Sequence, residues 1–335
     1  MEPFIYDALP SRVVFGAGAA RTRLAAEVDR LGAKAVLLVG SDRYAALAEP
    51  FAGRVHGRFT EVREHVPVGT AEAARAAARG ADAVVAIGGG SAIGAAKAVA
   101  LTEGLPIVAV PTTYAGSEMT PIWGLTEGGR KITGTDPVVL PKVVVYDPEL
   151  VASLPRDLAV ASGLNAMAHA VDGMWAPGRN PISAVLAEDG IRALAAGLRT
   201  VDPEELLRGA WLGAAAFAVT GSGLHHKLAH VLGGMGMPHA RTHAVLLPHV
   251  LAFNAPGAPE AAERIARALG ADDAVAGLRA LADELGVPRG LRELGLAEDR
   301  LAEAAQLAAP AVPKDNPVPV DETGLRELLR RAWAG

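Results

Sequence analysis

Short apolar runs alternate with amphipathic, alanine-rich stretches over the first half of the chain. The runs that predict β-strands are residues 12–15, 35–39, 83–87, 107–110 and 143–146. Because they are almost continuously apolar, we expect these strands to be covered on both faces. Helical patterns lie between them, for example at residues 21–31 and 70–79. This alternation predicts a parallel, doubly wound sheet of the Rossmann-like type.

The strand pattern ends near residue 150, and helical periodicity follows. The predicted helices span roughly residues 155–173, 182–199, 203–220, 224–232, 240–253, 258–285, 298–309 and 322–333. The proline-rich residues 310–319 are interpreted as a surface connection. The fold class predicted is therefore α/β followed by all-α, with a dinucleotide-binding domain at 1–152 and a helical catalytic domain at 153–335.

Composition excludes several kinds of chemistry. The 335 residues include no cysteine, so disulfides, thiolate nucleophiles and Cys-ligated metals are excluded. The net charge of −5, from 32 basic and 37 acidic residues, argues against nucleic acid as a partner. The chain shows neither a basic signal-peptide start nor an unbroken apolar span, so we expect no membrane association and a cytoplasmic location.

Two glycine clusters follow predicted strands. Gly16 and Gly18 resemble a dinucleotide fingerprint, but Arg21 stands where a third small residue belongs, so we interpret this cluster as a strand-end turn. Gly88, Gly89, Gly90 and Ser91 lie between a strand and a helix, where free backbone N–H groups favour an anion. The second cluster is the predicted nucleotide-phosphate site. A tight turn without a ligand is the alternative.

Further polar residues are candidates for cofactor binding. Thr112, Thr113 and Ser117 follow the next predicted strand and would lie at the ligand-binding edge of the sheet. Asp42 follows the strand at 35–39, where a carboxylate binds a ribose hydroxyl and favours NAD. Lys142 precedes the last strand. The alternatives are a capping loop for the hydroxyls, a helix cap for Asp42 and a strand-edge charge for Lys142.

Histidines are concentrated in the helical half. Seven of the nine lie between residues 169 and 249, namely His169, His225, His226, His230, His239, His243 and His249. Residues spaced four apart share a helix face. Two histidine pairs have this spacing, His226 with His230 and His239 with His243, as has Asn165 with His169. The pattern predicts one shared site for metal binding or proton transfer, against the alternative of separate core histidines.

The combined motifs resemble the iron-containing alcohol dehydrogenase superfamily, which has the dehydroquinate synthase-like architecture. They are the glycines and serine at 88–91, Pro-Thr-Thr at 111–113, His-Lys-Leu-Ala-His at 226–230 and Pro-His at 238–239. The maleylacetate reductase branch is the most similar, through residues 111–121, 126–129, 140–141, 163–166 and 224–228. Gly94 also fits that branch, since the alcohol dehydrogenases commonly carry Asp there.

The resemblance implies a set of site residues. The superfamily's metal ligands fall on His169, His226 and His239, and on Asn165 where an Asp is usual. Since Asn is a neutral and weaker ligand, we expect that the divalent metal, Fe or Zn, is not required. The candidate catalytic residues are His169, His226, His230, His239, His243, Lys227 and Tyr114.

The implied reaction is the NADH- or NADPH-dependent reduction of the enone double bond of maleylacetate to 3-oxoadipate, in the degradation of aromatic compounds. A small dicarboxylate substrate needs cations or donors, and the candidates are Lys227, Arg241, Arg130, Lys131 and His243. We expect a homodimer. The alternatives are a metal-dependent alcohol or polyol dehydrogenase, and a non-redox enzyme that shares the fold.

Overall fold

The computed structural model describes residues 4–128 and 130–335, which form two compact units. One unit is Leu9–Leu154, and the other is Pro155–Gly335 together with the described residues before Leu9. The sequence-based division after residue 152 counted those first residues with the α/β domain instead.

The first unit is built on a six-stranded parallel sheet. In spatial order its strands are β1 (Arg12–Phe15), β8 (Val143–Tyr146), β5 (Ile107–Pro111), β4 (Ala83–Gly88), β2 (Val36–Gly40) and β3 (Val55–Phe59). Its helices are α1 (Ala19–Arg30), α2 (Val68–Ala77), α3 (Gly90–Glu103) and α4 (Pro148–Val151). The parallel α/β arrangement and the five predicted strands are confirmed.

The sheet has a packed core on each face, as its apolar strands predict. In β4, Val85 and Ile87 join the cluster that includes α1, whereas Val84 and Ala86 join the cluster that includes α3. Successive residues of a strand point to opposite faces, so a strand covered on both sides must be apolar at every position.

The sequence analysis missed three strands. β3 is an edge strand in which exposed residues alternate with partly buried ones before the buried Phe59, so it lacks a continuous apolar run. The other two, β6 (Ile122–Glu127) and β7 (Arg130–Thr135), pair antiparallel outside the main sheet. Trp123 lies directly opposite Gly134, where a Cβ atom would come within 2.5 Å of the indole ring, so the glycine makes room for the tryptophan.

The second unit is helical. Its helices are α5 (Arg156–Gly173), α6 (Pro181–Thr200), α7 (Pro203–Thr220), α8 (Leu224–Gly234), α9 (His239–Asn254), α10 (Pro259–Leu269), α11 (Ala274–Glu284), α12 (Leu301–Ala308) and α13 (Glu322–Ala334). Helix α5 is buried along most of its length and contacts α6, α7 and α9. In the described part of the chain, no helix combines the length and apolar character needed to cross a membrane.

One predicted helix is wrong, because residues 258–285 form two helices. Gly270 ends α10 in the left-handed conformation, with φ of 70°. Asp273 then begins α11 by accepting a hydrogen bond from the Ala276 amide at 2.7 Å. A left-handed glycine followed by a capping carboxylate is a strong signal for a helix end and a new start.

Val201 is strained, and relieving that strain should stabilise the protein. It ends α6 in the left-handed conformation with φ of 55° and ψ of 44°, which a β-branched residue strongly disfavours. We expect Val201→Gly to raise the free energy of unfolding by about 1 kcal/mol. Thermal unfolding of the variant measures this. Val185→Gly, a change at an exposed position inside α6 itself, is the control and should lower stability.

Candidate active site

The first glycine cluster is filled by the protein itself. Gly18 has φ of 70° and precedes α1, whose N-terminus faces Asp147. The Asp147 carboxylate accepts hydrogen bonds from the Gly18 amide at 2.9 Å and the Ala20 amide at 3.0 Å. A carboxylate therefore already occupies the position that a phosphate would take. The interpretation of this cluster as a strand-end turn is confirmed.

The second glycine cluster keeps its helix N-terminus open. Helix α3 has no side-chain cap, and the Gly90 and Ser91 amides donate no hydrogen bond among the described residues. Both residues are partly exposed. Two outward amides at the start of a fourteen-residue helix suit an anion.

The hydroxyl-bearing segment after β5 covers the same turn. The Thr112 amide donates to the Gly88 carbonyl at 3.1 Å. A Cβ atom on Gly89 would lie 3.0 Å from the Thr113 methyl group, so the glycine permits this close approach. Thr113 and Ser117 are partly exposed, whereas Thr112 is buried. The structure therefore brings the glycine turn and this segment together at the carboxyl edge of the sheet.

The other two cofactor candidates lie at different edges of the sheet. Asp42 follows β2 at the carboxyl edge, is exposed, and lies 3.8 Å from the Arg58 guanidinium. Lys142 instead lies at the amino edge, where its amide bonds to the Ile107 carbonyl. At about 3.3 Å per residue, Lys142 is roughly 13 Å along β5 from the glycine turn. The structure does not bring Lys142 to the nucleotide candidates.

Six of the seven clustered histidines form one continuous group of rings. His169 stacks on His226 with centroids 4.7 Å apart, and His226 lies 4.9 Å from His243. Other neighbouring pairs in the group are His225–His226, His226–His230 and His239–His243. Only His249 among the seven lies apart, with its Nε2 near the Arg289 carbonyl.

A buried carboxylate holds the central histidine. Asp172 Oδ2 lies 2.7 Å from His226 Nδ1 and also accepts from the His226 and Gly223 amides, at 3.2 and 3.1 Å. Gly223 is required for this approach, because a Cβ atom there would lie 2.6 Å from Asp172 Oδ1. The contact places the Nδ1 proton toward the carboxylate, so the neutral His226 ring carries its lone pair on Nε2.

A second histidine pair lies beside it. His225 Nε2 and His243 Nδ1 are 2.9 Å apart, and both rings are fully buried. Burial lowers the pKa of His225 to about 3 and lowers the pKa values of His169 and His243 well below their usual range. These imidazoles are therefore neutral near pH 7, and each has one N–H donor and one lone pair.

Several buried polar atoms in this group have no hydrogen-bond partner among the residues that the structure describes. They are Asn165 Oδ1, His169 Nδ1, His225 Nδ1 and His243 Nε2. A buried polar atom without a partner lowers the stability of the protein unless a ligand forms a hydrogen bond with it. Several such atoms at one place therefore indicate a binding site.

The metal-ligand set implied by the resemblance is not assembled. Among the residues that the structure describes, no three His, Asp or Glu side chains are arranged to hold one ion. Asn165 adds a neutral amide oxygen and no negative charge. The residues present therefore do not fit the superfamily's metal site, and we assign no step to a metal.

The candidates for binding substrate carboxylates are scattered. Lys227 is partly exposed on α8, and its ammonium group makes no hydrogen bond or ion pair within the described residues. Arg241 is paired at the surface with Asp157, at 3.2 Å. The side chains of Arg130 and Lys131 lie outside the described residues. Tyr114 is buried in the segment after β5.

Asp172 is the functional candidate that the sequence analysis missed. It lies seven residues after Asn165 and three after His169, on the same face of α5. That spacing was a usable signal, but a single aspartate stands out less in the sequence than a group of histidines. The contact of His225 with His243 places His225 in the histidine group.

The depressed histidine pKa values predict acid sensitivity. An unfolded chain takes up protons near pH 6.5, whereas folded His169, His225 and His243 do not. Folding is therefore favoured above pH 6.5, and stability is lost as pH falls below it. Each histidine should cost about 2 kcal/mol between pH 6.5 and 5. The raised pKa values of the buried Asp172 and Glu118 oppose this loss, and the lowered pKa of His249 adds to it.

Urea unfolding at pH 7.5 and 5.0, followed by circular dichroism, measures the loss. His225→Gln should reduce the difference between the two pH values, because it removes one buried imidazole. His56→Gln changes an exposed histidine in the other unit and is the matched control. Equal stability at both pH values would contradict the prediction.

Comparisons with known proteins agree with this fold. The iron-containing alcohol dehydrogenase model matches residues 10–148, and the Fe-containing alcohol dehydrogenase family C-terminal model matches residues 159–333. An iron-containing alcohol dehydrogenase from Corynebacterium glutamicum has a similar structure, with a TM-score of 0.95 and 47% identity over 99% of this chain and 97% of that one. The chain belongs to the iron-containing alcohol dehydrogenase family, and the predicted dehydroquinate synthase-like architecture is confirmed.

Within that family the similarity is narrower. A maleylacetate reductase of Sphingobium indicum is 49% identical, covering 99% of this chain and 98% of that protein. The structure of a maleylacetate reductase from Agrobacterium tumefaciens superposes with a TM-score of 0.94 at 43% identity, over 100% of this chain and 99% of that one.

Proposed function

We propose that this protein reduces the carbon–carbon double bond of maleylacetate with NADH or NADPH, giving 3-oxoadipate in the degradation of aromatic compounds. The observation that carries the proposal is a group of six imidazole rings, one of them held by Asp172, in a chain 49% identical to a maleylacetate reductase over its full length. The imidazole nitrogens of this group that have no partner among the described residues can carry the N–H donors that a ketone and a carboxylate need.

The chemistry separates into two tasks for this chain's residues. When bound, the reduced nicotinamide supplies a hydride to the carbon β to the ketone. As negative charge develops on the ketone oxygen, a neutral imidazole N–H donates a hydrogen bond to it, and such a donor contributes roughly 3–4 kcal/mol. A second group then protonates the α-carbon. His169, His230, His239 and His243 are the candidates for these roles. His226 joins them only when its Nε2 is protonated, because its Nδ1 N–H is directed to Asp172.

The first unit provides the nucleotide contacts. The Gly90 and Ser91 amides at the start of α3 would hold the pyrophosphate, and the Thr113 and Ser117 hydroxyls would hydrogen-bond nearby. Asp42 at the carboxyl end of β2 favours a free ribose hydroxyl, hence NADH over NADPH. Lys227 is the cation for a substrate carboxylate. We further propose that the protein acts as a homodimer, which light scattering would test.

A direct assay tests the reaction. Purified protein is supplied with maleylacetate and either NADH or NADPH, and the loss of nicotinamide absorbance and the formation of 3-oxoadipate are both followed. We expect equimolar oxidation and product, and faster turnover with NADH. No turnover with either nucleotide would overturn the proposal. If binding calorimetry also showed no nucleotide binding, a non-redox enzyme on this fold would be favoured.

We also propose that the reaction requires no metal. The neutral Asn165 and the absence of a three-ligand arrangement among the described residues support this. The partnerless Asn165 Oδ1 and His169 Nδ1 are the features that favour the alternative, a metal-dependent alcohol or polyol dehydrogenase. Metal analysis and assays after chelation separate the two. Stoichiometric Fe or Zn, loss of activity on chelation and oxidation of simple alcohols would favour the alternative.

A further inference from the structure

Three buried polar side chains of the first unit form a cluster that the proposed reaction does not use directly. Lys97 on α3, Glu118 after β5 and Tyr146 at the end of β8 are each at most 1% exposed. Buried ionisable groups are costly and are retained only where their contacts offset that cost. Here the contacts hold one segment of the chain in place.

Lys97 directs its whole ammonium group to one segment of chain. Its Nζ donates to the Thr120 and Ile122 carbonyls, each at 2.7 Å, and to Thr120 Oγ1 at 3.2 Å. An ammonium has three N–H donors, so all of them are used. Burial lowers the pKa of Lys97 to about 7, which shows how strongly the surroundings disfavour the charge.

Glu118 and Tyr146 fix the middle of the same segment. The Tyr146 hydroxyl donates to Glu118 Oε1 at 2.8 Å, which joins the segment to the end of β8. Burial raises the pKa of Glu118. The segment is thus attached to α3 through Lys97 and to the sheet through Tyr146.

The segment held by these contacts is the one that carries the nucleotide candidates. It begins at Thr112, whose amide bonds to the Gly88 carbonyl of the glycine turn, and passes through Thr113 and Ser117. Its far end reaches Thr120, which Lys97 holds. Lys97 lies on the helix whose N-terminus supplies the Gly90 and Ser91 amides. One helix therefore fixes both the amide donors and the far end of the hydroxyl-bearing segment.

We propose that Lys97 is a positioning residue for the nicotinamide nucleotide, which keeps the Thr113 and Ser117 hydroxyls in register with the amides at the start of α3. This inference rests on the proposed function, since it assumes that these groups bind the nucleotide. Lys97 acts through the backbone carbonyls of Thr120 and Ile122 and does not itself touch the ligand.

The test is Lys97→Met, which keeps most of the side-chain length and removes every donor. We expect the NADH dissociation constant, measured by nicotinamide fluorescence, to rise about tenfold, as for a weakened hydrogen bond to a charged ligand. We expect kcat at saturating NADH and the KM for maleylacetate to change less than about threefold. Hydrogen exchange at residues 112–122 should become faster.

Two further variants keep the test decisive. Val99→Ala removes buried volume from the same helix and leaves the Lys97 contacts intact, so it should lower stability without weakening NADH binding. Tyr146→Phe removes only the hydroxyl donor to Glu118 and should weaken NADH binding about threefold. It serves as the readout if Lys97→Met does not fold.

The outcomes distinguish this inference from the proposed function. If the unaltered protein binds NADH and Lys97→Met, or Tyr146→Phe in its place, binds it equally well, the positioning role is overturned while the function stands. The same follows if Val99→Ala weakens binding as much as Lys97→Met. If the unaltered protein binds neither NADH nor NADPH, the proposed function fails and the positioning role fails with it.

Discussion

Asp172→Asn should lower kcat for maleylacetate reduction by about 10²- to 10⁴-fold, the range seen when a buried carboxylate that orients a catalytic histidine is neutralised. Asp172 Oδ2 receives three hydrogen bonds, from His226 Nδ1 and from the His226 and Gly223 amides. An amide oxygen can accept some of these bonds, but it cannot stabilise positive charge on the ring. Steady-state kinetics with saturating NADH measures the effect as kcat and KM separately.

The control for this prediction lies on the same helix. Asp157→Asn neutralises an exposed carboxylate near the start of α5 that pairs only with Arg241 at the surface, and it should leave kcat within about twofold. NADH binding should change less than about threefold in both variants, because neither substitution alters a proposed nucleotide contact. A folded Asp172→Asn protein with nearly unaltered kcat would show that His226 is not a working group.

The sheet was predictable because its chemistry is local. Each central strand is covered on both faces, so burial forces a continuous apolar run that can be read directly from the sequence. β3 and the β6–β7 hairpin were not predicted because their strands are only partly buried. Their polar residues interrupt the apolar run by which the other strands were recognised. A hydrophobic pattern in a sequence indicates which residues are buried. It predicts a strand only where the burial pattern is typical of one.

The sequence was sufficient to predict which residues form the histidine site, but not which contacts they make. The spacing of four residues correctly indicated that Asn165 shares a helix face with His169, and six histidines do meet. Nothing local shows that Asp172 binds His226, 54 residues later, or that His249 lies apart. These contacts depend on how helices pack, which a single sequence does not specify.

The two glycine clusters illustrate the same limit. Both follow a strand and precede a helix, so both offer backbone amides to an anion. The difference is Asp147, which is 129 residues from Gly18 in sequence and fills the first site with a carboxylate. In the sequence, Arg21 in place of a third small residue was the reason for preferring the second cluster. The structure gives the physical reason for the same choice.

Gly90→Pro should raise the KM and the dissociation constant for NADH by about 10- to 100-fold, the loss expected for one hydrogen bond to a charged phosphate. Gly90 is the first residue of α3, a position where proline is well tolerated because the amide has no partner within the helix. The preceding Gly89 is extended, which suits a following proline. The substitution therefore removes one N–H donor from the proposed phosphate site with little change in the helix. Fluorescence titration with NADH measures it.

Gly90→Ala is the matched comparison, because it adds a side chain but keeps the amide. Its Cβ atom would lie 3.5 Å from the Ala115 Cβ, an ordinary contact, so NADH binding should weaken less than about threefold. A difference between the two variants isolates the amide donor from the added volume. If both bound NADH as tightly as the unaltered protein, the phosphate would have to bind elsewhere. Since Asp147 already fills the start of α1, the first glycine cluster would not be the replacement.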